Sequence, residues 1–151
     1  MTGTFAYFED GIKDAGHLER EKVSLTTHQF LSWQVERWGA ENVHIAIERY
    51  IITSRTAKLS QQTDALEVTG AVKAIAQIHG ITDVRQYAKA NLKFASDSVL
   101  SDMGWYSPKM RHANDAARQA SALLKEVDYP RWCELVKGGT LDTTTNEEMT
   151  G

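Results

Sequence analysis

The stretch VHIAIER, residues 43–49, decides the fold of this chain. Its apolar part, residues 43–47, is a compact run of mostly small and β-branched side chains. This pattern is typical of a strand that is buried on both faces in the middle of a mixed sheet. Glu48 follows directly, at the carboxyl end of the predicted strand. We therefore expect a central strand that carries a carboxylate at its end.

Other strands and helices alternate around this strand. The chain begins with a predicted strand over 4–8 and an irregular returning strand over 12–23, joined by an Asp-Gly turn. A first helix is capped by Thr26 or Thr27 and runs to Trp38. The later elements are a polar loop over 52–63, a helix over 64–79, a strand over 81–87, a short helix capped by Ser96 and a final helix over 112–127. This order implies an α/β fold, in which helices cover the faces of a mixed sheet.

The helix over 64–79 has apolar residues at helical spacing. We expect its buried side to include Leu66, Ile75, Ala76 and Ile78. Gly70 on the same helix is predicted to allow close packing of the helix on the sheet.

Length and composition indicate a soluble, single-domain protein. The chain has 151 residues, of which 42% are hydrophobic and 25% charged, as in ordinary globular proteins. No apolar run approaches the roughly 20 residues that span a bilayer, and the first residues lack a secretion signal. A single cysteine, Cys133, fits a reducing compartment, so we expect a cytoplasmic protein. We predict a folded domain over 1–130 and a flexible, Thr- and Glu-rich tail within 131–151.

The charge of the chain permits nucleic-acid binding without arguing for it. A net charge of -3 and a pI near 5.9 are not typical of a general nucleic-acid-binding protein. The segment 49–58 nevertheless holds Arg49, Arg55 and Lys58 and no acid, whereas the segment 141–151 holds three acids and no base. A local basic surface is therefore compatible with the acidic average.

Glu48 is the first candidate for a functional side chain. A carboxylate at the end of a central strand is costly to desolvate unless a positive group meets it. Ligands of α/β sheets usually bind at that edge. The alternative is that Glu48 begins the loop and forms an ion pair with Arg49 or another base.

The start of the last helix, HAND at 112–115, holds the second candidate. Residues three apart lie on the same helix face, so His112 and Asp115 can converge on one point. A histidine nitrogen and carboxylate oxygens are acceptable ligands for Mg²⁺ or Mn²⁺. The alternative is helix capping, in which Asn114 or Asp115 accepts from free backbone N–H groups.

The motifs occur in the order found in RuvC-type Holliday-junction resolvases. The strand that ends IAIER precedes a basic loop, a helix begins DALEVTGAV at 64–72, and the last helix opens with His-x-x-Asp. Over about residues 3–126 the chain resembles this family. It looks closest to the RuvC-like proteins of actinobacterial phages, which share ALEV with a glycine two residues on, KFA at 93–95 and HANDA at 112–116. The resemblance implies an RNase H-like fold, a mixed five-stranded sheet flanked by helices.

The resemblance also implies a nuclease site and its cofactors. Glu48, His112 and Asp115 fall on positions that, in the family that the chain resembles, help hold two divalent ions, Mg²⁺ or Mn²⁺. Two such ions activate a water molecule on one side of a phosphate and stabilise the departing oxygen on the other. The implied DNA contacts are phosphate binding by Arg49, Arg55 and Lys58, base stacking by Tyr50, and a backbone or scissile-phosphate contact by Lys93. For the loop, the alternative is an ordinary solvated segment.

One carboxylate of the family's pattern is missing from this chain. The family has an aspartate in its first strand, several residues before a Thr-Gly, and Thr2-Gly3 stands at the place of that Thr-Gly. We therefore expect a truncated first strand. The expected explanation is an upstream segment that carries the aspartate. The alternatives are a short form that binds junctions without cleaving them, and a ligand from another acid or a partner chain.

Together these features predict an endonuclease that resolves four-way or other branched DNA as a homodimer, in the host cytoplasm if a phage encodes it. Two alternatives belong to other classes. One is a non-catalytic protein that binds branched DNA. The other is a structural or assembly protein in which Glu48 and Asp115 form only ion pairs.

Overall fold

The computed structural model describes residues 2–8, 11–19, 22–49 and 60–138. These residues form a mixed α/β arrangement of four strands and five helices. The strands are β1 Thr2–Tyr7, β2 Lys13–Leu18, β3 His44–Arg49 and β4 Asp83–Ala88. The helices are α1 Val23–Trp38, α2 Ser60–Ile78, α3 Asp97–Met103, α4 Arg111–Val127 and α5 over 129–138.

The chain divides into two compact units. The first unit comprises Met1–Thr2 and Leu18–Asn91, and the second comprises Gly3–His17 and Leu92–Gly151. The sequence predicted one domain that ends at residue 130, so this division was not anticipated. Glu48 belongs to the first unit, whereas His112 and Asp115 belong to the second.

The first unit is built on the parallel pair β3–β4. The register places His44 opposite Asp83 and Glu48 opposite Tyr87. A parallel pair needs a crossover connection, and α2 lies between the two strands in the sequence. The buried core consists of Leu31 from α1, Ile75 and Ala76 from α2, and Ile81 before β4. Burial of these side chains fixes α1 and α2 against each other.

Both helices of the first unit begin earlier than the sequence predicted. Helix α1 starts at Val23, with Lys22 as an N-cap that makes no side-chain hydrogen bond, so the predicted caps Thr26 and Thr27 lie inside the helix. Val23 is buried, and this burial stabilises a turn that no capping residue signals. Helix α2 starts at Ser60 rather than at 64, so the predicted loop over 52–63 is helical from 60 onward.

The predicted buried side of α2 is only partly correct. Ile75 and Ala76 are buried, but Leu66 is 41% exposed and Ile78 is 72% exposed. The prediction for Gly70 is also wrong, because a β-carbon at this position would meet nothing within 4 Å. The core contacts of this helix are made near its C-terminal end, by Ile75 and Ala76, and the apolar pattern alone does not show where that core stops.

The second unit combines the hairpin β1–β2 with helices α3, α4 and α5. Its core consists of Leu100, Met103, Trp105 and Ala117, with Phe5 and Tyr7 of β1 packed against it. The rings of these two strand residues lie 4.7 and 4.9 Å from the ring of Trp105, centroid to centroid. The aromatic side chains of β1 therefore pack against the core of this unit.

The predicted cap of α3 is confirmed. Ser96 has extended backbone angles, and its hydroxyl accepts a hydrogen bond from the backbone N–H of Val99 at 3.3 Å. Gly104 ends the helix in the left-handed conformation, at φ 76°. Both signals are local, and they fix the bounds of this short helix.

The C-terminal part of the second unit contains a further helix after α4. Residues 129–138 form α5, and Trp132, Leu135 and Val136 pack against the core. The indole N–H of Trp132 donates to the hydroxyl of Ser121 at 2.9 Å. The packed region therefore extends past the predicted boundary at 130, and the rest of the predicted tail, 139–151, lies outside the described residues.

The five-stranded sheet of the RNase H-like prediction is not present in the described residues. They form two separate two-stranded sheets, β1–β2 and β3–β4. In a single sheet, a strand of one pair would be hydrogen-bonded to a strand of the other, whereas each described strand is hydrogen-bonded only within its own pair. None of the described helices is long and apolar enough to cross a membrane.

Candidate functional site

Glu48 lies within β3, one residue before the strand ends. The sequence placed it just after the strand, but the pairing with β4 continues to Arg49, which lies opposite Ala88. Glu48 is half-buried, and Arg49 is exposed. The backbone of Glu48 is therefore fixed by strand pairing and does not belong to a loop. The side chain of Arg49 is accessible to a phosphate.

Three of the residues predicted to bind DNA lie outside the described residues. They are Tyr50, Arg55 and Lys58. Lys93, the remaining one, is exposed between β4 and α3 in the second unit.

His112 and Asp115 lie in the first two turns of α4. His112 is exposed and Asp115 is half-buried. They are three residues apart in α4, so they occupy neighbouring positions on the same face of the helix. Their convergence on one point stays a prediction.

The capping alternative for this helix start is wrong. The N-cap residue of α4 is Met110, and no side chain caps the helix. Asn114 instead accepts a hydrogen bond from the backbone N–H of Ser107 at 2.8 Å and donates one to its carbonyl at 2.9 Å. These bonds tie the turn before the helix to the first turns of α4.

Strand β1 also holds the start of α4 in place. A β-carbon at Gly3 would overlap the carbonyl of His112 and lie 2.6 Å from the amide nitrogen of Ala113. The two backbones therefore approach as closely as they do only because Gly3 has no side chain. The peptide that follows His112 is fixed between this strand and its own helix.

Asp115 has a cationic partner within the protein. A guanidinium nitrogen of Arg118 lies 3.2 Å from Oδ1 of Asp115, and another nitrogen of the same group bonds the carboxylate of Asp97. The side chains of Arg118 and Asp115 are 20% and 29% exposed. This bridge compensates the charge of Asp115 and links the first turn of α3 to α4.

His17 is a neighbour of His112 that the sequence did not indicate. The ring of His17, on β2, lies edge-on to the ring of His112, with centroids 6.0 Å apart and an interplanar angle of 78°. The two residues are far apart in the sequence and share no motif. Only the packing of the hairpin on α4 brings them together.

Two basic residues next to His112 were also missed. Lys109 and Arg111 are both exposed, and Lys109 has φ 64°, the only positive φ of a non-glycine residue in the described ranges. They are two exposed cations at the start of α4, and Lys93 is a third exposed cation of the same unit. These residue types bind phosphates without reading bases.

The residues that the structure describes do not by themselves complete a metal site. No group of three or more His, Cys, Asp or Glu side chains among them is arranged to hold an ion. His112 and Asp115 supply two donors in one unit, and one oxygen of Asp115 is bonded to Arg118. Glu48 supplies one donor in the other unit. Neither unit alone therefore has the ligand set that the resemblance implies.

No family model matches this chain, and neither does any curated protein or solved structure. The likeness to RuvC-type resolvases therefore rests on the sequence motifs alone.

Proposed function

We propose that this protein acts on branched DNA as a RuvC-like, structure-selective endonuclease that hydrolyses phosphodiester bonds in four-way junctions. The observation that carries the proposal is the rigid start of α4, where an exposed histidine and a half-buried carboxylate stand one turn apart. The backbone at His112 is held against Gly3, and the preceding turn is held by Asn114. A reactive site needs such fixed geometry, whereas an ordinary solvated helix end does not.

The proposed roles follow from the chemistry of the side chains. Glu48, His112 and Asp115 are the proposed donors for two Mg²⁺ or Mn²⁺ ions, which when bound would supply an activated water molecule. Because neither unit assembles three donors, we assign no step of the hydrolysis to these ions. Arg49 and Lys93 are the proposed phosphate contacts, with Tyr50, Arg55 and Lys58 in the segment outside the described residues.

Cleavage of a synthetic four-way junction in Mg²⁺ or Mn²⁺ tests this proposal. Glu48→Gln and Asp115→Asn each remove a negative charge with little change of shape. We expect each variant to lose activity by about 100-fold or more, as when an essential catalytic group is removed. Asp102→Asn, on the exposed surface of α3, is the matched control and should cleave at the wild-type rate. Full activity of both site variants would refute the nuclease proposal.

A second candidate function is binding of branched DNA without cleavage. The ion pair between Arg118 and Asp115 favours it, because an arginine already holds the carboxylate that a metal ion would need. This candidate predicts salt-sensitive junction binding that is unchanged by Mn²⁺, with no strand scission by any variant. Measurement of binding and cleavage in the same titration separates the two candidates.

The proposed partner is a second copy of this chain on one junction. Symmetric incision of opposite strands requires two active sites on one DNA molecule. Light scattering of the protein with and without junction DNA measures this stoichiometry. A single copy per cleaved junction would refute the dimer while leaving the nuclease proposal intact.

A further inference from the structure

A pair of histidines bridges the two helices of the first unit. Nε2 of His79 lies 2.9 Å from Nδ1 of His28, and the ring centroids are 4.7 Å apart. One of these two nitrogens donates the hydrogen bond through its N–H, and the other accepts it through its lone pair. The hydrogen bond is solvent-accessible, with His28 exposed on α1 and His79 half-buried after α2.

The backbone of His79 is fixed by the way α2 ends. Gly80 is left-handed at φ 75°, its N–H donates to the carbonyl of Gln77 at 3.1 Å, and the N–H of Ile81 donates to the carbonyl of Ala76 at 2.9 Å. This is the Schellman arrangement that closes a helix, and it makes His79 the C-cap residue. Buried Ile81 then anchors the chain after the turn.

The position of His28 is fixed by the core beneath it. Leu31, one turn further along α1, packs in the same cluster as Ile75, Ala76 and Ile81. The same core therefore sets the separation of the two imidazoles from both sides. Such a pair keeps its distance without a bound ligand.

The distance between the two nitrogens suits two ligands of one transition-metal ion. With metal–nitrogen bonds of about 2.0 Å, nitrogens at a right angle are about 2.8 Å apart and tetrahedral ones about 3.3 Å apart. The observed 2.9 Å lies within this range. An ion bound to both nitrogens would lie to one side of the line that joins them, so the hydrogen bond must break and both rings must turn to aim their lone pairs at the ion.

We propose that His28 and His79 form a binding site for a divalent transition-metal ion that prefers imidazole, namely Cu²⁺, Ni²⁺ or Zn²⁺. Water completes the coordination, because the described residues offer no third His, Cys, Asp or Glu at this place. Mg²⁺ binds poorly here, since it prefers oxygen ligands. The site uses none of the proposed nuclease residues, and the bound ion links α1 to the end of α2.

Titration of tag-free protein with Ni²⁺, followed by calorimetry and thermal unfolding, tests this site. We expect Ni²⁺ to raise the midpoint of unfolding, and we expect this increase to be smaller in His28→Gln and His79→Gln, whereas any effect of Mg²⁺ should be the same in the wild type and in these two variants. His28→Gln and His79→Gln should each weaken Ni²⁺ binding by about ten-fold or more. The reason is that the first imidazole holds the ion close to the second, which then binds it at a high effective concentration. The double variant should bind more weakly than either single variant, because each single variant keeps one imidazole ligand. Circular dichroism checks that each variant is folded.

Two control variants make the result specific. His112→Gln and Asp115→Asn change the proposed nuclease site and should leave Ni²⁺ binding unchanged. Wild-type affinity in either His28→Gln or His79→Gln would overturn the proposal. Loss of binding in His112→Gln would also overturn it, since the ion would then belong to the second unit.

Discussion

Asn114 and Ser107 are joined by two hydrogen bonds that together hold the turn before α4 against the helix. The side-chain amide of Asn114 accepts from the Ser107 N–H at 2.8 Å and donates to the Ser107 carbonyl at 2.9 Å. Asn114 is buried, at 5% exposure. The side chain therefore satisfies two backbone groups that would otherwise need water or another partner.

Replacement of Asn114 is expected to destabilise the second unit. Asn114→Ala removes both bonds and leaves the two Ser107 backbone groups without this partner, which should cost about 1–3 kcal/mol of unfolding free energy. Asn114→Asp keeps an acceptor but loses the donor, so it should also destabilise the unit. Urea unfolding measures these changes. The exposed Asn91 provides a control, and Asn91→Ala should change stability by less than about 0.5 kcal/mol.

Alanine at two glycines should have opposite effects. Gly3→Ala places a β-carbon on the backbone of His112, and the backbones must separate, at a cost of several kcal/mol or loss of folding. Gly70→Ala on α2 meets nothing within 4 Å and removes a flexible residue from a helix, so it should stabilise by about 0.5–1 kcal/mol. Thermal unfolding of both variants compares them. Equal effects at the two positions would contradict the close approach of β1 to α4.

Lys109 is expected to be a strained residue. It occupies a turn in which the Met110 N–H donates to the Ser107 carbonyl at 3.2 Å, and its φ is 64°. A left-handed conformation costs a side-chain-bearing residue about 1–2 kcal/mol, and glycine adds about 0.5–1 kcal/mol of backbone entropy to the unfolded chain. Lys109→Gly should therefore stabilise the protein by about 0.5–1 kcal/mol.

The same change in an unstrained position provides the control. Lys89 has no positive φ, so Lys89→Gly should not stabilise the protein. If Lys109 contacts phosphate, Lys109→Gly should also reduce the salt dependence of junction binding by about one ion. If Lys109→Gly stabilises the protein and leaves junction binding unchanged, the strained conformation of Lys109 has no role in DNA recognition.

Arg118 is expected to compete with a metal ion for Asp115. Arg118→Gln removes the cation 3.2 Å from the carboxylate, and such a partly exposed pair is worth about 1 kcal/mol at most. In this variant, the Mn²⁺ concentration that half-saturates the protein should fall by up to about five-fold. It is measured by following the midpoint of thermal unfolding as Mn²⁺ is added. Arg37→Gln, on α1, is the control and should leave this concentration unchanged. A rise in the Arg118 variant would show that the arginine supports the ion.

Asp83 should make stability depend on pH. Hydrogen bonds from the guanidinium of Arg85, at 2.8 Å, and then with His44, at 2.5 Å, hold the pKa of Asp83 below its ordinary value, against the opposing effect of burial. Because the folded-state pKa is depressed, this contribution is present above the ordinary aspartate pKa of about 3.9 and is lost as pH falls through the folded-state value.

Asp83→Asn tests this dependence. The variant should be less stable than the wild type near neutral pH, and the difference should shrink as the pH falls below about 4. Urea midpoints measured from pH 7 down to pH 2 give the curve for each protein. A difference that stays constant over this range would assign the loss to packing rather than to ionisation.

The sequence alone determined the features that depend on neighbouring residues. The run 43–47 predicted a strand, and β3 spans His44–Arg49, although its side chains are half-buried or exposed rather than buried on both faces. Ser96 caps α3, and the spacing of His112 and Asp115 places them on one face of α4. Hydrophobic periodicity and helix capping depend on a few consecutive residues, so the amino-acid sequence is enough to predict them. The predicted start of α1 was wrong because burial of Val23, rather than a cap, stabilises its first turn. Helix α2 also begins earlier than predicted, at Ser60.

Only the tertiary structure decided which distant residues meet. It placed His17 beside His112, His79 against His28, and the backbone of Gly3 on that of His112. It also arranged the described strands as two pairs instead of one five-stranded sheet. The physical reason is that such contacts depend on how whole elements pack and pair, and a sequence pattern states which face an element buries but not the partner that covers it.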